Sequence, residues 1–415
     1  MINLKIYFKT FGCRTNIYDS EVMKNSLKNH EICDDETKAD VIVVNSCTVT
    51  NGADSDVRNY INRANKNGKK VFLTGCGAIS RGKELFDNGK VFGVFGSSKK
   101  ENITEIIEKN VKFIDLGDIN KSQNSIVKNF KKYTKAFVKI QEGCDFNCSY
   151  CIIPSVRGHA RSKDESIILK EVLNLANNGF SEIVLTGTNI GSYGKDTKTS
   201  LAKLLKKLSQ INGIKRIRLG SLEPSQIDDE FKELLNEKWL EKHLHIALQH
   251  TSETMLKIMR RRNKAFKDIE LFNELASKGY ALGTDFIVGH PGESDKIWLE
   301  ALNNFKSFPL THLHAFIYSP RDDTHSATLK IDVDGKTAKE RLKTLQDIVE
   351  QNNFEFRKKH YNELDVLVEQ KNGDFFTGFD EYYNKIYIKS DKDLTHNWIK
   401  VKKYEIEKRG NFTNF

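Results

Sequence analysis

The chain has 415 residues, 38% of them hydrophobic, and a formal net charge of +10. That length excludes a single small domain and suits two or three packed ones, three being the expectation. The cationic excess favours attraction to a polyanion such as RNA, or serves solubility alone.

The opening, MINLKIYFKTFGC, lacks the basic stretch, apolar core and small-residue cleavage site of a secretory signal. No later apolar run approaches the roughly 18 residues of a membrane span. The expectation is a soluble, cytoplasmic protein with no membrane partner. A reducing cytosol leaves its seven cysteines free, catalytic or metal-binding rather than disulfide-paired.

The first segment repeats an apolar run, a cysteine and a helical stretch: KIYFKTFGC ends at Cys13, VIVVNSC at Cys47 and KVFLTGC at Cys76. Each run reads as a buried parallel strand. Asp19 and Ser20 offer an N-cap before EVMKNSLKN, and ADSDVRNYINRANKNG reads as a helix stopped by Gly68. Residues 109–135, lysine-rich and without periodicity, read as a linker.

A second series places strands at 136–141, 182–187, 215–220, 243–248, 282–289 and 313–319, separated by helical stretches such as ESIILKEVLNLANNG. Six such units suit an incomplete parallel barrel whose reactive end is the strand C-terminal face. After a long helix, TAKERLKTLQDIVEQNNFEFRKKH, short alternating segments from Tyr361 onward predict a small antiparallel barrel. The expected class is therefore α/β with three domains, at residues 1–120, 130–355 and 360–415.

Chemistry concentrates in Cys144-Asp-Phe-Asn-Cys148-Ser-Tyr-Cys151, directly after the first strand of the second series. Three thiolates in one tight loop can hold three irons of a 4Fe-4S cluster, leaving the fourth open to a small chelating ligand such as the amino and carboxylate groups of a methionine moiety. The rival is structural zinc, but no second cysteine pair stands nearby, and His159 is the only other candidate ligand. Cys13, Cys47 and Cys76 all fall at strand C-terminal ends, where ligands gather in open parallel sheets. They are read as buried cysteines or as a second open cluster, with Cys33 as a bystander.

The C-x3-C-x2-C loop with Tyr150 before its last cysteine resembles the radical S-adenosylmethionine superfamily. Both cysteine sets, with CIIPSVRGHARS, LTGTNIGSYG, SLEPSQI, LQHTSETMLKIMRRR and DFIVGHPGES, resemble the radical methylthiotransferases over essentially the whole length. The resemblance implies a cluster domain, a radical domain and a terminal TRAM domain. It implies two 4Fe-4S clusters, on Cys144, Cys148 and Cys151 and on Cys13, Cys47 and Cys76, with S-adenosylmethionine used both as methyl donor and as radical source. It implies an electron donor protein, and cofactor contacts from Tyr150, Gly187, Glu223 and Gln249, each of which also has an ordinary packing or turn reading.

Branches of the family modify a threonylcarbamoyl-bearing or isopentenyl-bearing adenosine of tRNA, or an aspartate of a ribosomal protein. GCRTN, YDSE, CTVTNGAD and VLTGTNIGSYG look most like the threonylcarbamoyladenosine branch, which implies methylthiolation at carbon 2 of the adenosine beside the anticodon. Gln249-His250-Thr251 departs from the Gln-Ser-Gly expected there. A non-catalytic iron–sulfur RNA-binding protein is the alternative from another class.

RNA affinity would come from basic side chains meeting phosphates of the anticodon loop. Arg157 and Arg161 are placed to reach substrate or to brace the cluster loop, and Arg260, Arg261 and Arg262 with Lys257 and Lys264 form a basic run. From Tyr361 onward nine Lys or Arg face ten Asp or Glu, so only Lys400, Lys402, Lys403, Lys408 and Arg409 make a local basic stripe.

Overall fold

The computed structural model describes residues 3–109 and 111–415. Its first sheet is wholly parallel, in the order β2-β1-β3-β4-β5-β6. The strands are β1 (Lys5–Thr10), β2 (Glu31–Ile32), β3 (Val41–Ser46), β4 (Lys70–Gly75), β5 (Gly93–Phe95) and β6 (Phe113–Asp115). VIVVNS, buried at every position, forms the central β3 because a strand covered by helices on both faces can be apolar throughout. Thr50 caps the helix Asn51–Lys66 by accepting the Ala53 N–H, and Gly68 ends it at φ +67°.

Two expectations change here. The first helix runs Arg14–Ser26 with Cys13 at its N-cap, so Asp19 and Ser20 lie inside it. Their short polar side chains, a capping signal in sequence, are buried: Asp19 takes cationic partners and the Ser20 hydroxyl pairs with Thr10 at 2.6 Å. The expected linker is likewise structured, since Phe113–Asp115 is β6 and Val127 and Phe130 are buried in the central core. Strands of two or three residues leave no periodicity to read.

The second series supplies β7 (Ala136–Glu142), a short antiparallel β8 (Arg161–Ser162), β9 (Glu182–Gly187), β10 (Arg216–Leu219), β11 (His243–His245), β12 (Ala281–Val288) and β13 (Leu310–Ile317). β7, β9 and β10 pair in parallel, as do β11, β12 and β13. Parallel bridges Ile217–Leu240 and Leu222–Ile246 join the two sets into the expected partial barrel, open beyond β13.

The helix Gly335–Lys359 leads into β14 (Leu364–Asn372), β15 (Phe375–Phe379), β16 (Lys385–Lys389), β17 (Trp398–Val401), β18 (Glu405–Glu407) and β19 (Gly410–Asn414). The expected small antiparallel barrel takes the form of a curled half-barrel, order β17-β14-β15-β16-β19-β18, with one parallel pair, β16 and β19. It docks on the central barrel: Arg218 donates to the Asp380 carbonyl at 2.7 Å and the Trp398 indole N–H to Ser181 Oγ at 2.8 Å. No helix among the described residues is long and apolar enough to cross a membrane.

Candidate active site

β7 delivers the cysteine loop to the top of the barrel. Gly143 turns it at φ +76°, where a Cβ would stand 1.9 Å from the His159 carbonyl oxygen, so only glycine fits without displacing backbone. Backbone N–H groups of Cys144 and Cys151 donate to Gly158 and Cys148, and that of Ser149 to Met259. N–H donors also surround the sulfurs: Phe146 N–H lies 3.5 Å from Cys144 Sγ, the Asn189 amide 3.7 Å from the same atom, and the Arg261 guanidinium 3.8 Å from Cys148 Sγ. Burial pushes the Cys151 thiol up to about 12 and Cys144 upward too, with nearby thiols adding to both. Such thiols become thiolates when a bound cation replaces the proton, and the surrounding donors then face anionic sulfur.

The second set forms at three adjacent strand ends. Cys13 precedes the helix Arg14–Ser26, Cys47 follows β3, and Cys76 opens the short helix Cys76–Ser80 after β4. Gly12, at φ +93°, brings its backbone so close that a Cβ would lie 2.6 Å from Cys47 Cβ. Burial pushes Cys47 up to about 11, with Cys76 and Cys13 adding to the rise.

A single zinc ion would draw its thiolates to roughly 3.8 Å of one another, given Zn–S bonds near 2.3 Å. Among the described residues neither cysteine set brings its three ligand atoms within 4.8 Å of one another. His159 is no fourth ligand either, being 84% exposed and paired with Asp145 at 2.9 Å. Neither set is therefore gathered as tightly as one zinc ion requires, and three thiol donors are the ligand type that iron–sulfur clusters take. Cys33, bonded to the Asp35 carbonyl at 3.5 Å, stands apart from them.

The two sets share a wall. Ile152, just after Cys151, and Val156 of the helix Ile153–Arg157 pack against Cys76. From the end of that helix the buried Arg157 donates Nε to Cys76 Sγ at 3.1 Å, one terminal nitrogen to Asp19 at 2.8 Å and Glu142 at 2.6 Å, and the other to Asn16. Lys139 joins at 2.7 Å from Asp19 and 3.0 Å from Glu142, and Lys100 also bonds Asp19. Burial would raise both carboxyls, yet Lys100, Lys139 and Arg157 hold Asp19 well below the usual range, and Lys139 and Arg157 hold Glu142 down to about 2. A second tie lies opposite: buried Arg321 donates to Asp54 at 2.7 Å and to the Thr48 carbonyl at 3.0 Å, beside Cys47.

The structure divides the expected substrate contacts between the interior and the surface. Arg157 is 2% exposed and fully engaged with protein partners. Arg161 donates to the carbonyls of Arg157 and His159 at 2.9 and 3.0 Å, bracing the loop. Arg261 is turned inward onto Glu223, at 2.9 Å for one of its two bonds, because a buried guanidinium needs a fork-matched anion. Arg260 and Arg262, with Lys257 and Lys264, remain exposed on the rim, where Arg262 covers the Phe146 ring at 4.5 Å.

Of the expected cofactor contacts, Gly187 ends β9 with no room for a side chain, since a Cβ would stand 2.7 Å from the Gln141 carbonyl. Tyr150 lies edge-on to His290 at 6.3 Å. Gln249 sits at φ +65°, bridged to Phe286. Glu223, Gln249 and Gly187 follow or end successive barrel strands on the same face as the Cys144 loop. Asp19, Glu142, Asn189 and Arg321 were missed as site residues. Asp19 stands in the quoted YDSE stretch and Asn189 in LTGTN, but only the fold gives them partners.

A model of the Radical SAM superfamily matches residues 138–305, and one described as uncharacterized protein family UPF0004 matches residues 5–96. A Helicobacter pylori protein assigned provisionally as a methylthiotransferase is 52% identical over 99% of this chain and 100% of its own. The threonylcarbamoyladenosine tRNA methylthiotransferase MtaB of Bacillus subtilis is 36% identical over 96% of this chain and 93% of its own. The tRNA-2-methylthio-N(6)-dimethylallyladenosine synthase of Fervidobacterium nodosum is 34% identical over 90% of each. The fold is similar to that of the radical S-adenosylmethionine methyltransferase TsrM from Kitasatospora setae, with TM-score 0.55 and 14% identity over 77% of each chain. With two converging cysteine sets and relatives matched end to end, the chain belongs to the radical S-adenosylmethionine methylthiotransferases, enzymes that insert sulfur.

Proposed function

We propose that this enzyme adds a methylthio group to carbon 2 of the threonylcarbamoyl-modified adenosine at tRNA position 37, using two 4Fe-4S clusters and S-adenosylmethionine in two roles. The observation that carries this reading is the shared wall between the cysteine sets, where Arg157 reaches from the Cys151 side to Cys76. When bound, the cluster of Cys144, Cys148 and Cys151 with S-adenosylmethionine supplies a hydrogen-abstracting radical, and that of Cys13, Cys47 and Cys76 supplies a carrier for sulfur.

The chain's own residues hold and shield these groups. Arg157 fixes Cys76 and supplies positive charge beside it. Ile152 and Val156 exclude water from the wall. Glu223, forked by Arg261, keeps lone pairs for a ribose hydroxyl, with Gly187, Tyr150 and Gln249 along the rest of the cofactor. Arg260, Arg262, Lys257 and Lys264 on the rim meet phosphates as the splayed base enters. On the half-barrel, read as a TRAM-like domain, Arg409 covers the Phe412 ring at 4.4 Å and Phe412 stacks on Tyr387, an aromatic and basic surface of the kind single-stranded RNA uses. Arg409 is also paired with Glu407 at 3.1 Å, and Lys400 with Glu363 at 2.7 Å. Domains at 1–120, 130–355 and 360–415, a cytoplasmic location and an electron donor protein complete the reading.

Relatives acting on dimethylallyladenosine have nearly the identity of the MtaB relatives, which keeps the isopentenyl-bearing base as the second reading. Nucleoside mass spectrometry of a strain lacking the gene decides: loss of methylthio-threonylcarbamoyladenosine supports the proposal. Loss of the methylthio-isopentenyl nucleoside alone supports the second reading, and unchanged levels of both without a redundant enzyme overturn both.

A further inference from the structure

Four histidines meet across the last three barrel strands: His243 and His245 on β11, His312 and His314 on β13. β12, between them, contributes the bare backbone of Gly283 and the carboxylate of Asp285, which is paired in register with His314. The lower pair is closed off: His243 stacks on Tyr383 of the half-barrel at 5.2 Å and meets His312 at 4.7 Å. Burial keeps both neutral, His243 well below the usual histidine range and His312 down to about 3.

The upper pair is different. His245 Nε2 lies 3.1 Å, and His314 Nδ1 3.6 Å, from the same Asp285 oxygen, and the three ligand atoms fall within 4.8 Å of one another. Despite that approach the His245 Nε2 is buried without a hydrogen-bond partner. Donor atoms whose lone pairs converge on one ion about 2.1 Å away stand roughly 3 Å apart without pointing at each other, which matches this arrangement. Gly283 sets the ring: a Cβ there would lie 2.8 Å from His245 Nδ1, so the absence of a side chain lets the imidazole lie against the strand with Nε2 toward Asp285. His314 is 63% exposed, and β13 borders the open side of the barrel.

We propose that His245, Asp285 and His314 form a binding site for a divalent first-row transition cation, with its remaining coordination positions open toward the gap beside β13. Two imidazoles and a carboxylate suit manganese, iron(II) or zinc rather than calcium or magnesium, which prefer all-oxygen cages. The ligands come from three adjacent strands and include none of the cysteines.

The test uses enzyme purified anaerobically with its iron–sulfur centres loaded and oxidised, a state in which they are silent by electron paramagnetic resonance. Mn(II) is titrated in, unbound ion is quantified by its room-temperature signal, and pulsed spectra of the bound ion are examined for histidine nitrogen coupling. The expected result is one Mn(II) per chain coupled to imidazole nitrogen. Asp285→Asn and His314→Gln should each weaken binding by more than roughly tenfold, the loss that removing even an outer-shell partner produces, with iron content unchanged. His314 is largely exposed, so its variant tests the site without emptying a core. Absence of bound Mn(II) at millimolar concentration, or equal binding by wild type and both variants, overturns the site and leaves only a packed histidine–aspartate pair. The readout is metal binding rather than sulfur insertion, so it is independent of the tRNA reading.

Discussion

At Arg157 one guanidinium serves a sulfur, two carboxylates and an amide in a buried junction. Removing one partner of such a buried set leaves charges uncompensated, which costs about 3–5 kcal/mol. Arg157→Met should therefore lower the thermal midpoint and, under the proposed function, reduce iron bound at Cys13, Cys47 and Cys76. Arg157→Lys, which keeps the charge but not the fork, should fall between wild type and Arg157→Met in calorimetry and iron analysis.

Asp380 gives a different residue-scale prediction. Burial first, then the neighbouring Glu381, hold its carboxyl up to about 7 against an ordinary value of 3.8. The folded state keeps a proton that the unfolded chain releases. Its contribution to stability is thus complete below the unfolded value and lost as pH rises through about 7. Urea midpoints at pH 5 and pH 8 should show a smaller drop for Asp380→Asn than for wild type; identical drops would contradict this assignment.

Among the elements, the loop from Gly143 to Gly158 depends on backbone geometry as much as on its cysteines. Gly143→Ala puts a Cβ against the His159 carbonyl in a conformation that L-residues rarely adopt. Under the proposed function it should abolish iron binding at Cys144, Cys148 and Cys151 while far-ultraviolet circular dichroism stays close to wild type. Normal iron content in this variant would show that the loop can be rebuilt. The helix Arg14–Ser26 shows how far an element can depart from its apparent pattern. Thr15, Asn16, Asp19 and Ser20 are buried beside Tyr18 and Val22, because one face meets the first sheet and the other meets the barrel. Its polar residues therefore read as surface, although they are interior.

For the whole molecule, the separation of the cysteine sets is fixed by docking at the Arg157 junction and at the Arg321–Asp54 pair. Arg321→Ala should loosen the Cys47 side without touching the Cys144 loop. Under the proposed function, 5′-deoxyadenosine should then still form, with several-fold less methylthiolated tRNA per cleavage, as product quantification by mass spectrometry would reveal. A fixed ratio would mean that this contact does not couple the sites. Binding of tRNA should weaken steeply with salt, and replacing Arg260 and Arg262 together should lower that slope by about 2, one for each phosphate left without its arginine.

The strands ending at Cys13, Cys47 and Cys76 and the six barrel strands were legible because long apolar runs with cysteines at their ends carry a local signal. So was the Cys144 loop, whose spacing alone fits three ligands to one turn. β2, β5 and β6 were not legible, being too short for periodicity. Nor were the fates of Arg157, Arg161 and Arg261: a sequence gives an arginine's charge but not whether a carboxylate waits within reach. The sequence by itself determined the two cysteine sets and the strand-end positions that deliver them. Only the tertiary structure decided that the two sets share a wall, that Asp19 and Glu142 close it, and that His245, Asp285 and His314 meet. Those contacts join residues distant in the chain, and their energies depend on burial and distance, which local pattern does not encode.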